Sequence, residues 1–227
     1  VRHSKPQINN EEKKMADQVI RIDTPEWAVL SVPIKGTAPL ICNNFSEFAK
    51  SQLRESNAAK KGGQKAVKAA QTPEEQYQGA LYRMFFDDGE GYGFPAAGFQ
   101  ESTKSAARFY GNNVTMVAVG QMVMMLGTVT KADPLPLIRV HGQPEMREDR
   151  IGTSTGGSQL TYRAIFPEWT ADLRVRYVTT KFHRDTVLSL IDAGGTGVGV
   201  GCWRPENGGH FGTYGIDREL GVAEVPL

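Results

Sequence analysis

The chain has 227 residues, enough for a substantial hydrophobic core, with 40% hydrophobic and 22% charged residues. Its 26 basic and 25 acidic residues give a net charge of +1, which excludes a global attraction to nucleic acid or membrane and makes any basic surface local. Two cysteines, Cys42 and Cys202, do not make a disulfide framework or a four-ligand zinc site, and no apolar run approaches the about twenty residues of a spanning helix. With no signal peptide visible, the expected compartment is the cytoplasm, without membrane partners.

Residues 1–18 are polar and are expected to be disordered or tag-derived, with Met15 the expected natural start. Residues 19–227 are read as a single domain. "VIRIDTPEWAVLSVPIKG" alternates, placing Ala28, Leu30, Val32 and Ile34 on one face of a half-buried strand. "TAPLICNNFSEFAKSQLR" reads as an apolar turn and a short helix with Phe45, Phe48, Ala49 and Leu53 at helical spacing. Residues 50–72 carry Lys50, Arg54, Lys60, Lys61, Lys65 and Lys68 against Glu55, with few large apolar side chains, and are expected to form a mobile basic insertion.

"PEEQYQGALYRMFF" predicts a helix, with Pro73 in its first turn and Glu74 and Glu75 at the positive end of its dipole. "DDGEGYGFPAAG" reads as a turn cluster, and "FQESTKSAARFYG" as a helix closing on Gly111. "VTMVAVGQMVMMLGTVT" predicts one or two buried strands, and residues 131–159 an irregular excursion outside the core. "LTYRAIF" and "ADLRVRYVTT", separated by "PEWT", predict a hairpin. "HRDTVLSLIDAG" predicts a helix capped by His183, running straight into the glycine-rich residues 194–215.

Those glycines are not a phosphate loop, because no Gly-Lys-Ser/Thr occurs in the chain. They are not a dinucleotide fingerprint either, because the helix precedes them and their spacing is wrong. In an extended chain, Gly195, Gly197, Gly199 and Gly201 share one face, and Thr196, Val198, Val200 and Cys202 the other. The expectation is a strand with one bare face, open to a ligand or another backbone, or else a glycine-rich buried strand crossed by a helix.

The pieces "LIDAGGTGVGVGCWRPENGGHFGTYGI", "GFPAAGFQESTKSAAR" and the opening strand with "IKGTAPLI" resemble, in order, segments of the RAMP superfamily. These are RNA-binding proteins of CRISPR systems that include the backbone subunits polymerising along a guide RNA. "STKSAA" replaces the usual Ser-Leu-Lys-Gly, retaining Lys104 and Arg108, and the insert "CWRPEN" is unusual for those subunits and closer to phage or mobile-element relatives. The resemblance implies an α+β, ferredoxin-like (RRM-like) antiparallel sheet with helices on one face, plus inserted loops. It also implies non-catalytic binding of single-stranded RNA, or DNA, in a filament with copies of itself and other effector subunits.

Nucleic-acid binding needs cations for phosphates and flat side chains for bases. At the glycine loop these are Trp203, Arg204 and His210, beside Phe211 and Tyr214. Alternation sets Arg174 and Arg176 on one sheet face, with Arg163 expected to join them from the partner strand. Lys60, Lys61 and Lys65 on the insertion have two readings: an arm that closes over a bound strand, as inserted loops of the resembled family do, or a solvated linker. Asp87, Asp88 and Glu90 read as a solvated turn rather than a metal site, and no cofactor is expected. Of the histidines weighed as general acid or base, His141, His183 and His210, the first two have no inferred catalytic partner, and no G-x-S-x-G elbow appears, so the chain is not expected to be an enzyme. Two alternatives stand beside this reading. One is a phage-type assembly protein whose glycines pack subunits; the other is a RAMP-like endoribonuclease using His210.

Overall fold

The computed structural model describes residues 24–44, 50–52, 54–55, 57, 71–87, 89–129, 135–152 and 156–226. The expected N-terminal segment and Lys60, Lys61 and Lys65 of the basic insertion lie outside these residues. The chain folds into a mixed α+β structure around a curled antiparallel sheet.

The opening strand forms where its alternation predicts, but it is not half-buried, because Val29 and Pro33 on its other face are buried too. β1 (Trp27–Gly36) buries Ala28, Leu30, Val32 and Ile34, which pair in register with Tyr177, Val175, Leu173 and Ala171 of β9 (Thr170–Val178). On its other edge β1 takes β10 (Tyr214–Ile216) and β11 (Ala223–Val225). On the far edge of β9 lie β5 (Val123–Leu126) and β6 (Leu137–His141), the latter leading to β4 (Gly89–Pro95) and β3 (Tyr82–Phe86). A second sheet joins β2 (Leu40–Cys42), β8 (Ser158–Phe166) and β7 (Glu145–Gly152).

Several expectations are corrected. Helix α1 (Pro73–Ala80) starts at a capping box between Thr72 and Glu75 but ends before "YRMFF", where Met84 points inward and Arg83 and Phe85 outward, a period of two. The expected turn cluster is strand β4, held between β3 and β6 with Phe94 buried. Helix α2 (Ala96–Ala106) follows it directly and passes into short 3-10 turns over Ala107–Asn113 that are broken by a kink at Gly111, whose φ is 62°. Residues expected as strand form helix α3 (Met116–Met122), because the Thr115 side chain accepts from Ala118 N and caps it.

The expected irregular excursion contains β6, which buries Leu137, Ile138 and Val140 inside the main sheet, and β7. The expected hairpin fails because β8 and β9 belong to different sheets. Trp169 of "PEWT" is 3% exposed and donates from Nε1 to Ala38 O at 2.9 Å, so the segment is a buried crossing and not a surface turn.

Candidate functional site

Helix α4 (Arg184–Gly197) is the element that builds the site. His183 caps it, accepting at Nδ1 from Asp185 N, and Val187, Leu190, Ile191, Gly194 and Gly195 form its buried stripe at helical spacing. Gly195 and Gly197 therefore continue a helix and Gly199 and Gly201 fall in the loop beyond it, which corrects the bare-faced strand expected for all four. They are small because other parts of the chain press against them. A Cβ on Gly194 would lie 2.8 Å from Ser102 O of α2, and one on Gly195 would run into Tyr214 of β10. A Cβ on Gly197 would lie 2.7 Å from the Phe109 ring.

Tyr214 fills the space these glycines leave. It is fully buried, with its ring against Phe99 and Trp169 and its hydroxyl 3.2 Å from Ser102 Oγ; burial pushes its phenol up to about 12.

Beyond α4 the chain turns at Gly199 and Gly201, with left-handed φ of 71° and 77°, a region that favours glycine. The loop is closed on itself by Val200 N donating to Gly212 O and Phe211 N to Trp203 O. It is docked on β2 by Cys202 N to Ile41 O, and on the residue just before that strand by Gly212 N to Pro39 O. Trp203 and His210 are exposed at its rim. Trp203 holds φ at 54°, a left-handed conformation costing a side-chain-bearing residue roughly 1–2 kcal/mol.

Arg204 donates from Nε and Nη2 to Glu206 Oε2 at 3.2 and 2.8 Å, and Arg108 from Nη2 to Glu206 Oε1 at 3.0 Å. The Arg204 hydrogen bonds, above all, hold the Glu206 carboxyl below its usual range, against the opposing effect of burial. Beside this bridge lies a cleft of about 390 Å³, bordered by Gly98 and Ser102 of α2, Tyr82, Gly199, Cys202 and Arg204.

A second cluster sits on the sheet of β2, β8 and β7. Arg147 and Arg163 are directly opposite in the register of β7 and β8. The buried Asp149 lies between their charges, accepting from Arg147 Nε at 2.7 Å and 3.5 Å from Arg163 Nη1. The Arg147 guanidinium is 5.3 Å from the Trp203 ring centre and 4.9 Å from that of Phe211; Arg163 is 5.7 Å from Trp203. Arg163 Nε and Nη1 and Asp149 Oδ2 are buried without a hydrogen bond. Burial also raises the Cys202 thiol, with Arg163 drawing it back down.

The structure thus brings together Trp203, Arg204, Arg108 and Arg163, four of the sequence-derived candidates. Gly199, Gly201 and His210 lie on the same loop and Gly195 and Gly197 in the helix that leads into it, whereas the other described candidates stand apart. Arg163 does not join Arg174 and Arg176, because β8 and β9 lie in different sheets; those two stay on the outer face of the main sheet, Arg176 stacked on Trp27 at 4.1 Å. Lys104 pairs with Glu101 and lies along α3 at Gly120. His141 ends β6.

Three contributors were not foreseen: Arg147, Asp149 and Glu206. "EMREDRIG" carries charge on both faces, and nothing in its pattern marks the face that the glycine loop covers. Glu206 was visible two residues after Arg204 but not its second partner, about a hundred residues away. No protein-family model matches the chain, and no curated protein matches its sequence. Among the described residues, no group of His, Cys, Asp and Glu is arranged to hold a metal ion, and no helix is long and apolar enough to cross a membrane.

Proposed function

We propose that this chain binds single-stranded nucleic acid, RNA in the first instance, through the loop at residues 198–213 and the arginines around it, without catalysing a reaction. One observation carries the reading. In a chain whose total charge is +1, Arg108, Arg147, Arg163 and Arg204 converge from separate elements on one glycine-rich loop, paired there with Glu206 and Asp149, beside an exposed Trp203. Cations beside an exposed aromatic ring are what a phosphate backbone with unpaired bases requires.

The order of elements supports a ferredoxin-like, RAMP-type reading of the core. The sequence β1, α2, β5, β9, α4, β10 gives adjacent antiparallel strands in the order β10–β1–β9–β5, with α2 packed on α4. In that reading copies of the chain line up along the bound strand with other subunits. Fluorescence anisotropy with a labelled single-stranded RNA tests the function. Arg204→Ala should weaken binding and flatten its salt dependence. Unchanged binding removes Arg204 from the interface, and no binding by the wild type at low salt removes the function.

A further inference from the structure

Trp203 combines features that a merely structural residue has no need of. Its backbone is left-handed, its side chain is 40% exposed, and two guanidinium groups lie against its ring. Packing alone does not account for it, because the core around Tyr214, Phe99 and Trp169 closes without it. Backbone strain of this kind persists where the surrounding structure holds a residue in a particular place. Here the Phe211 N–H to Trp203 O hydrogen bond and the docking of Cys202 on Ile41 fix both sides of the residue.

The arginines beneath are unevenly used. Arg163 is nine-tenths buried, and its Nε and Nη1 lack hydrogen bonds. Arg147 keeps 29% of its side chain exposed between the rings of Trp203 and Phe211. One carboxylate, Asp149, answers both, so the cluster retains an excess positive charge at the rim of an exposed indole.

We infer that this is a nucleotide subsite, in which the exposed face of Trp203 stacks one base and Arg147 takes the adjoining phosphate. The inference rests on the single-strand binding proposed above and names where one unit of that strand sits. Arg163 and Asp149 are positioning residues: they hold Arg147 and the indole in place from below. A planar base suits the indole because every base has a π face, whereas a bare anion would engage Arg147 alone.

The test compares two probes, a labelled oligoadenylate and an abasic ribose-phosphate chain of the same length. Trp203→Gly suits the left-handed backbone, so thermal melting should show the variant folded. It should weaken oligoadenylate binding roughly tenfold and leave the abasic chain unchanged. Arg147→Ala should weaken both probes and lower the slope of log affinity against log salt by about 0.7. Equal effects of Trp203→Gly on both probes, or none on either, overturn the stacking role. An Arg147→Ala variant with an unaltered salt slope overturns the phosphate contact. A wild type that binds neither probe overturns the proposed function itself, and is thereby distinguished from failure of the subsite.

Discussion

Gly195→Ala tests whether α4 and β10 touch as closely as the structure requires. The added methyl would lie 2.6 Å from Cδ2 and 2.8 Å from Cε2 of Tyr214, and overlap Tyr214 O. Carbon atoms in contact prefer about 3.5–4.0 Å, so a gap of roughly 1 Å must open. The ring has no room to move, since it is fully buried against Phe99 and Trp169 and tied to Ser102. Overpacking of this kind costs about 1–3 kcal/mol, and more where backbone must shift. The better helix propensity of alanine returns about 1 kcal/mol at most. The expected net loss is about 2 kcal/mol, lowering the melting temperature by roughly 4–8 °C in a chain of this size. Urea unfolding followed by far-UV circular dichroism measures it, with Gly215→Ala as control. There the nearest atom to the new Cβ is Asp192 Oδ1 at 3.9 Å, and the expected change is within about 0.5 kcal/mol. If Gly195→Ala is as stable as Gly215→Ala, the close approach is not what demands glycine at 195.

The Glu206 bridge should show in the acid limb of stability. A lowered folded pKa contributes stability present in full above the ordinary value of 4.5 and lost as pH falls through the folded value. The urea midpoint of wild type should therefore exceed that of Glu206→Gln at neutral pH and approach it as the pH is lowered below 4.5; a gap that stays constant through acid contradicts the assignment. Burial raises both thiols, Cys42 far more than the half-buried Cys202. An aromatic disulfide reagent should titrate Cys202 slowly in the native protein and Cys42 only on unfolding, whereas equal rates would refute the burial order. Thr72→Ala removes one half of a capping box and should cost about 1 kcal/mol in the urea melt; no measurable loss would show that α1 does not depend on it.

What could be read in the sequence was what depends on local pattern. β1 was legible because Ala28, Leu30, Val32 and Ile34 alternate without interruption, and α4 because His183 and the spacing of Val187, Leu190 and Ile191 announce a capped helix. The glycines misled because spacing alone cannot tell a bare strand from a helix pressed against neighbours; the deciding contacts, Ser102 and Tyr214, come from distant parts of the chain. "VTMVAVGQM" looked like strand because valine and methionine fit either state, and one cap at Thr115 decided it. The site was half legible for the same reason. Trp203 and Arg204 stand out within their own loop, whereas Arg147 and Asp149 become part of it only when β7 folds beneath that loop.

The most direct measurement is the salt dependence of wild-type binding to a labelled single-stranded RNA, read by anisotropy. Single-strand binding at this loop predicts saturable binding at low salt that weakens linearly on a log–log plot, with a slope of about −1.4 to −2.1 if two or three of the exposed arginines meet phosphates. Absence of binding at low salt, or an affinity that ignores salt, would contradict it.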